Sequence, residues 1–175
     1  MLKLVQPSIK YRDSFIEAVR EFQAGSDPTR FRHISGLNIS KVENNFEEYL
    51  EKIANKEKGI GLEEGWVPAS AFWLVEKGEV IGMVSLRHTL NENLLKIGGH
   101  IGYGIRPSNR NKGYGTKILE LALKEAKKLG IEKVLVSCDD DNIGSIKVIE
   151  KNGGILENKI VDERKLKRRY WIENK

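Results

Sequence analysis

The sequence predicts one α/β (α+β) domain, a mixed β-sheet flanked by helices. Three observations carry that expectation. In the first third, apolar residues recur at helical spacing, as at Phe15, Val19 and Phe22. From Ala71 the pattern changes to short runs rich in β-formers. From Gly99 to Cys138 a strand, a long amphipathic helix and an apolar strand follow one another. That order predicts a right-handed βαβ crossover with parallel strands.

Each element has a local reason. Residues 2–6 read as a strand closed by Pro7, and residues 11–22 as a helix. Residues 25–40 are rich in turn formers and read as a loop. Ser40 with Glu43 three positions on predicts a capping box for a helix through Phe46, Leu50 and Ile53. Residues 71–76 and 80–86 flank Lys77-Gly78-Glu79 as a hairpin, and residues 91–93 form a turn. In residues 99–107 (GHIGYGIRP), Ile101, Tyr103 and Ile105 share one strand face and Gly102 and Gly104 the other. Residues 113–129 predict a helix with Ile118, Ala122, Ala126 and Leu129 on one stripe, Lys127 and Lys128 in its last turn, and Gly130 after its end. Residues 134–138 are apolar on both faces, as in a buried strand. A short helix at 142–151, stopped by Gly153-Gly154, and strands at 155–161 and 169–172 complete the chain.

Composition narrows the function. The 175 residues fit one domain, and Cys138, the one cysteine, excludes an intrachain disulfide framework and a multi-cysteine zinc site. No apolar run reaches the roughly 18 residues of a membrane span. Residues 1–7 are too short and too soon broken by Pro7 to read as a leader. The expectation is a cytoplasmic protein with no membrane partner. A net charge of +5 is modest, and its placement must decide its meaning.

The segment that carries chemistry is 106–116 (RPSNRNKGYGT), between a strand end and a helix start. It holds Arg106, Arg110 and Lys112, no acid, and glycines 113 and 115 where the helix begins. Exposed N–H groups and the helix dipole make this an anion site, one suited to phosphate. Neither a Walker loop nor a dinucleotide fingerprint is present. The other reading is a glycine-rich loop with solvated charges.

Arg110-Asn111-Lys112-Gly113-Tyr114-Gly115 resembles the Arg/Gln-x-x-Gly-x-Gly/Ala motif of the GNAT acetyltransferase superfamily. Ile105-x-Pro107 before it, and Asn142-x-x-Ser145 with Glu150-Lys151-x-Gly153 after it, match further elements in order. The resemblance covers about residues 97–156 and implies a V-shaped opening between two central parallel strands, 99–106 and 133–138. It implies one domain over residues 1–175, with a variable acceptor-side part at 1–68 and an acetyl-CoA-binding core at 97–156. It also implies acetyl-CoA as cosubstrate, held by Ile105, Arg110, Asn111, Lys112, Gly113, Tyr114, Gly115, Thr116, Asn142 and Ser145. Asn142 and Ser145 serve equally well as helix caps.

The implied activity is N-acetyl transfer to a primary amine of a small molecule, peptide or protein. The family often protonates the leaving thiolate with a tyrosine at what is here Ile149. Cys138 and Tyr103 are substitute acids, or else a core thiol and a core aromatic. His100 stands where some relatives carry a basic glutamate, or else makes a structural hydrogen bond. The missing tyrosine keeps a rival open, a non-catalytic CoA- or acyl-CoA-binding module. No metal is expected, since the adjacent Asp139, Asp140 and Asp141 cannot converge on one ion from an extended segment; they could instead attract a cationic amine. Nucleic acid is a third and weaker reading, resting on the net charge and on Arg164, Lys165, Lys167, Arg168 and Arg169, which also fit a charged hairpin and edge strand. A basic loop with Arg30, Arg32 and His33 could meet an acidic acceptor; His88 has no assigned role. A homodimer is an open assembly.

Overall fold

Alternation of buried side chains on two central strands organises the molecule. The structure, a computed structural model, describes residues 1–25, 31–163 and 165–175. Strands β1 (Lys3–Val5), β2 (Ala69–Glu76), β3 (Glu79–Arg87) and β4 (Ile101–Ile105) form an antiparallel sheet in that order. β2 and β3 join through Lys77 and Gly78, both at positive φ, as a tight hairpin requires.

The helices are α1 (Arg12–Ala24), α2 (Arg32–Ser35), α3 (Ile39–Asn44), α4 (Phe46–Glu57), α5 (Glu92–Lys96), α6 (Tyr114–Lys128) and α7 (Ile143–Lys151). Trp73, Val75, Val80 and Met83 on one face of the sheet pack with Phe15, Val19, Phe22 and Phe46 of α1 and α4. Phe15 stacks on Trp73 with ring centroids 4.4 Å apart. Leu74, Ile81, Val84 and Leu86 on the other face pack with Ile118, Leu119 and Ala122 of α6. The period-two pattern, shifted by one residue at Ile81 where β3 bulges against β2, feeds two cores, one on each face.

Strands β5 (Lys133–Asp139), β6 (Ile155–Asp162) and β7 (Lys165–Glu173) form a second antiparallel sheet in the order β5-β7-β6. The two sheets touch where Gly99 bridges Val136. Beyond that bridge β4 and β5 are not joined by a ladder among the described residues, and a cleft opens between them. The expected opening is present, while among the described residues every ladder is antiparallel, so the expected parallel strands are not paired with each other.

Several boundaries move for local reasons. The helix expected from Ser40 begins instead after Asn38, whose Oδ1 accepts the Lys41 N–H at 3.0 Å. It breaks at Asn45 (φ −134°), so α3 and α4 are separate. A short α2 lies within the expected first loop. Asn91 caps α5 through the Leu94 N–H at 2.9 Å, turning the expected turn at 91–93 into helix. β7 starts at Lys165 and lies between β5 and β6, so the late basic cluster sits on a central strand rather than an edge. Its charges are answered across the sheet: Lys167 by Asp139, Arg168 by Asp140 at 2.5 Å, and Arg169 by Glu157 at 2.6 Å. Arg30 and Arg164 lie outside the described residues, as do the side chains of Arg32 and His33.

Candidate active site

β4 delivers the chain to its end at Ile105, where a short turn, Pro107–Asn109, redirects it into α6. Asn111 (φ +61°) and Gly113 (φ +83°) adopt left-handed backbone in that loop. Gly113 occupies the N-cap of α6, and no side chain caps the helix, nor does any acid sit in its first turn. The first-turn N–H groups and the positive dipole end therefore face the cleft unopposed by protein anions. Such a cradle suits an anion such as phosphate.

The cleft has a volume of about 650 Å³. Ile105, Arg110, Asn111, Gly113, Gly115 and Thr116 line its α6 end, and Asn142 and Ser145 line it from α7. The Asn142 Oδ1 accepts the Ser145 N–H at 3.2 Å, so Asn142 caps α7 while lining the cleft. Arg110 Nε donates to the Ile105 carbonyl at 3.2 Å.

Three side chains of the loop turn elsewhere. Lys112 Nζ donates to the Ser108 carbonyl at 2.9 Å, and the Tyr114 hydroxyl donates to Glu76 at 2.6 Å. Neither side chain lines the cleft. Arg106 pairs with Glu21 at 2.6 Å and so ties the end of β4 to α1. Burial works against the Glu21 charge, but the Ser108 N–H and Arg106 outweigh it and lower the Glu21 pKa.

Tyr103 points from β4 into the cleft. Its hydroxyl is buried and makes no hydrogen bond among the described residues. Burial raises its pKa; the nearby Ser145 hydroxyl opposes this without reaching hydrogen-bond geometry, and Cys138 adds to it. Cys138 also lines the cleft, and burial pushes its thiol up to about 12.

His100 lies apart from these two. It is 8% exposed and does not line the cleft. Its Nδ1 accepts the Leu135 N–H at 3.0 Å. Burial first, and the Arg87 charge second, lower its pKa. In the neutral ring the Nδ1 lone pair is thus engaged and Nε2 carries the proton.

The acidic run at 139–141 is drawn to the basic strand. Lys167 holds Asp139, and Lys159 (2.9 Å) and Arg168 hold Asp140 and lower its pKa. Among the described residues no three His, Cys, Asp or Glu side chains gather as a metal site.

A family model described as an acetyltransferase (GNAT) domain matches residues 10–155. The chain belongs to the GNAT acetyltransferase family. An uncharacterized N-acetyltransferase of Bacillus subtilis (strain 168), YjdG, is 27% identical over 130 residues, covering 71% of this chain and 67% of the relative. A second from the same strain, YnaD, is 27% identical over 144 residues, covering 77% and 76%. Among solved structures, Mycobacterium smegmatis RimJ in complex with CoA-disulfide superposes with a TM-score of 0.73 at 14% identity, over 98% of this chain and 81% of that one. The microcin C7 self-immunity acetyltransferase MccE, solved with acetyl-CoA and AMP, gives 0.69 at 16%, over 98% and 92%. These two likenesses show the GNAT fold.

As a GNAT member the chain is an acetyl-CoA-dependent acyltransferase. The α6 cradle fits the cosubstrate by its own chemistry, since acetyl-CoA is a polyanion and the cradle offers unopposed N–H groups. Other cleft residues escaped the sequence reading: Arg87, Ser137, and Lys147 on α7, while Lys151, also in the cleft, stood in the motif Glu150-Lys151-x-Gly153. Lys147 carried a usable signal, a spacing of four from Lys151 that puts both on one helix face. Arg87 carried none. No helix among the described residues is long and apolar enough to cross a membrane.

Proposed function

We propose that this chain transfers the acetyl group of acetyl-CoA to a primary amine, with Tyr103 as the proton donor to the leaving thiolate. One observation carries the reading: the Tyr103 hydroxyl is buried in the cleft and makes no hydrogen bond among the described residues. A buried hydroxyl left unsatisfied costs about 1–3 kcal/mol. A ligand atom at that point removes the cost.

Acetyl-CoA supplies an activated thioester. In this reading the first-turn N–H groups of α6 and Arg110 hold its pyrophosphate, and Ile105 aligns its arm along β4. Residues 97–156 form the cofactor core and residues 1–68 the acceptor side. The amine lone pair attacks the acetyl carbon, the carbon–sulfur bond breaks, and the thiolate takes the Tyr103 proton. Burial raises the Tyr103 pKa, so the phenol stays protonated and a proton donor stands ready in the cleft. β4 thereby offers the hydroxyl that Ile149, fully buried in the core, cannot. His100 has no free lone pair in its neutral form and serves as the joint between the two sheets.

Tyr103→Phe tests this, because it keeps the ring and removes the hydroxyl. Expected is a fall in kcat of about 100-fold with acetyl-CoA affinity unchanged by calorimetry. An unchanged kcat overturns the role of Tyr103. Failure of the wild-type protein to bind acetyl-CoA overturns the reading of the cleft.

A further inference from the structure

We propose that Arg87 pairs with an anion on the acceptor, so that the acceptor is a small primary amine carrying its own carboxylate or phosphonate-type group. This rests on the acetyl-transfer reading above. Arg87 closes β3 and lines the cleft at the end away from α6. Its Nη1 donates to the carbonyls of Gly98 (3.3 Å) and Gly99 (2.9 Å), which fix the guanidinium beside the entry to β4. From Gly99 to Ile105 the strand path spans up to about 20 Å at roughly 3.3 Å per residue. The cosubstrate's pyrophosphate belongs to the Ile105 end, where Arg110 lies and where Lys147 and Lys151 of α7 border the same cleft. Arg87 is therefore a cation that the cofactor phosphates leave unused.

No protein anion uses it either. Among the described residues Arg87 makes no ion pair, and its Nε and Nη2 make no hydrogen bond. The acids near that end of the molecule are committed. Glu57 accepts the Ser70 hydroxyl at 2.7 Å, with His88 Nε2 on the same oxygen at 2.8 Å. Asp139 is held by Lys167. The remaining titratable neighbours, Lys56 and His100, both feel the Arg87 charge as a repulsion, added to burial. A guanidinium fork with the Nε hydrogen and both Nη2 hydrogens left matches a carboxylate or phosphonate.

The pairing also serves the chemistry. An ammonium brought beside a guanidinium by its own anionic group loses its proton more readily. That proton passes to water. The neutral amine then forms the new C–N bond as the C–S bond breaks, and the amide nitrogen sheds its second proton while the thiolate gains one. No protein base is required.

The test pairs acceptors with and without the anionic group: glycine against glycinamide, and aminomethylphosphonate against its diethyl ester, each rate referred to the unprotonated fraction of its amine at the assay pH. Wild type, Arg87→Gln and Arg87→Lys are compared, with acetyl-CoA affinity measured for each. Expected is a wild-type preference in kcat/KM of about 10- to 100-fold for the anionic member of a pair. The preference collapses in Arg87→Gln and partly returns in Arg87→Lys, while acetyl-CoA affinity persists. A wild-type preference for the neutral member, no preference, or one that survives Arg87→Gln overturns the proposal. So does acetyl-CoA binding with no turnover of any anionic amine. Loss of acetyl-CoA binding in wild type overturns the cleft reading on which both proposals stand.

Discussion

His100 and Leu135 hold each other twice: the His100 N–H donates to the Leu135 carbonyl at 2.8 Å, and the Leu135 N–H donates to His100 Nδ1 at 3.0 Å. This reciprocal pair stands beside the Gly99–Val136 bridge, where the two sheets meet and from which the cleft opens. One histidine thereby sets where β4 and β5 begin to part.

The pair makes stability depend on pH with a definite sign. His100 has its pKa lowered from the ordinary 6.5 in the folded protein, so the unfolded chain binds the proton more tightly. Its contribution is complete above about 6.5 and is lost as pH falls below that value. Denaturant titrations at pH 8, 6.5 and 5.5 should show stability falling towards acid. In His100→Gln, part of that fall should vanish. Equal slopes in both proteins would falsify the linkage.

Gly99 admits no side chain. Its φ is +64°, and a Cβ would stand 2.3 Å from the Leu135 carbonyl oxygen, which is backbone and cannot swing away. Gly99→Ala should lose about 3 kcal/mol or more of folding stability, from left-handed strain plus forced separation of the sheets. Urea unfolding checks this, and a loss below about 1 kcal/mol contradicts the close approach.

Gly113 is constrained differently. Nothing lies within 4 Å of its Cβ position, but its φ is +83°. Gly113→Val should therefore disturb the N-cap of α6 rather than the core. Calorimetry with acetyl-CoA should show affinity weakened at least about tenfold, with stability lowered by only the about 1–2 kcal/mol of left-handed strain. Normal affinity in this variant removes the cradle from the cofactor site.

Cys138 lines the cleft yet should be unreactive. Burial pushes its thiol up to about 12, with Arg168 acting in the opposite direction. The thiolate is the nucleophile, so iodoacetamide at pH 7.5 should label the folded protein far more slowly than the unfolded chain. Cys138→Ala should keep most of the turnover. Rapid labelling of the folded protein would overturn the assignment of an inert thiol.

The fold was largely legible before any coordinates, because hydrophobic period is local. Phe15, Val19 and Phe22 do pack on one face of α1, and Ile118, Ala122 and Ala126 do lie buried along α6, but Leu129, expected on the same stripe, is 47% exposed just past the helix end. The glycines and the arginine at 110–115 marked the helix start that lines the cleft, since φ and dipole requirements are written in residue type. Where the reading went astray, a competing local cap decided, as with Asn38 over Ser40.

The site divides along the same line. Sequence alone determined the family motif, the anion cradle and the absence of a tyrosine at Ile149, all properties of neighbours along the chain. Tertiary structure alone decided that Lys112 and Tyr114 turn their side chains away, and that the late basic strand faces Asp139 and Asp140. It decided that His100 spends its lone pair on Leu135, that the Tyr103 hydroxyl is buried without a hydrogen bond among the described residues, and that Arg87 reaches the cleft with its Nε and Nη2 hydrogens unspent. Each of these depends on which residue, tens of positions away, comes within 3 Å. Periodicity fixes which face a side chain occupies; only packing fixes what that face meets.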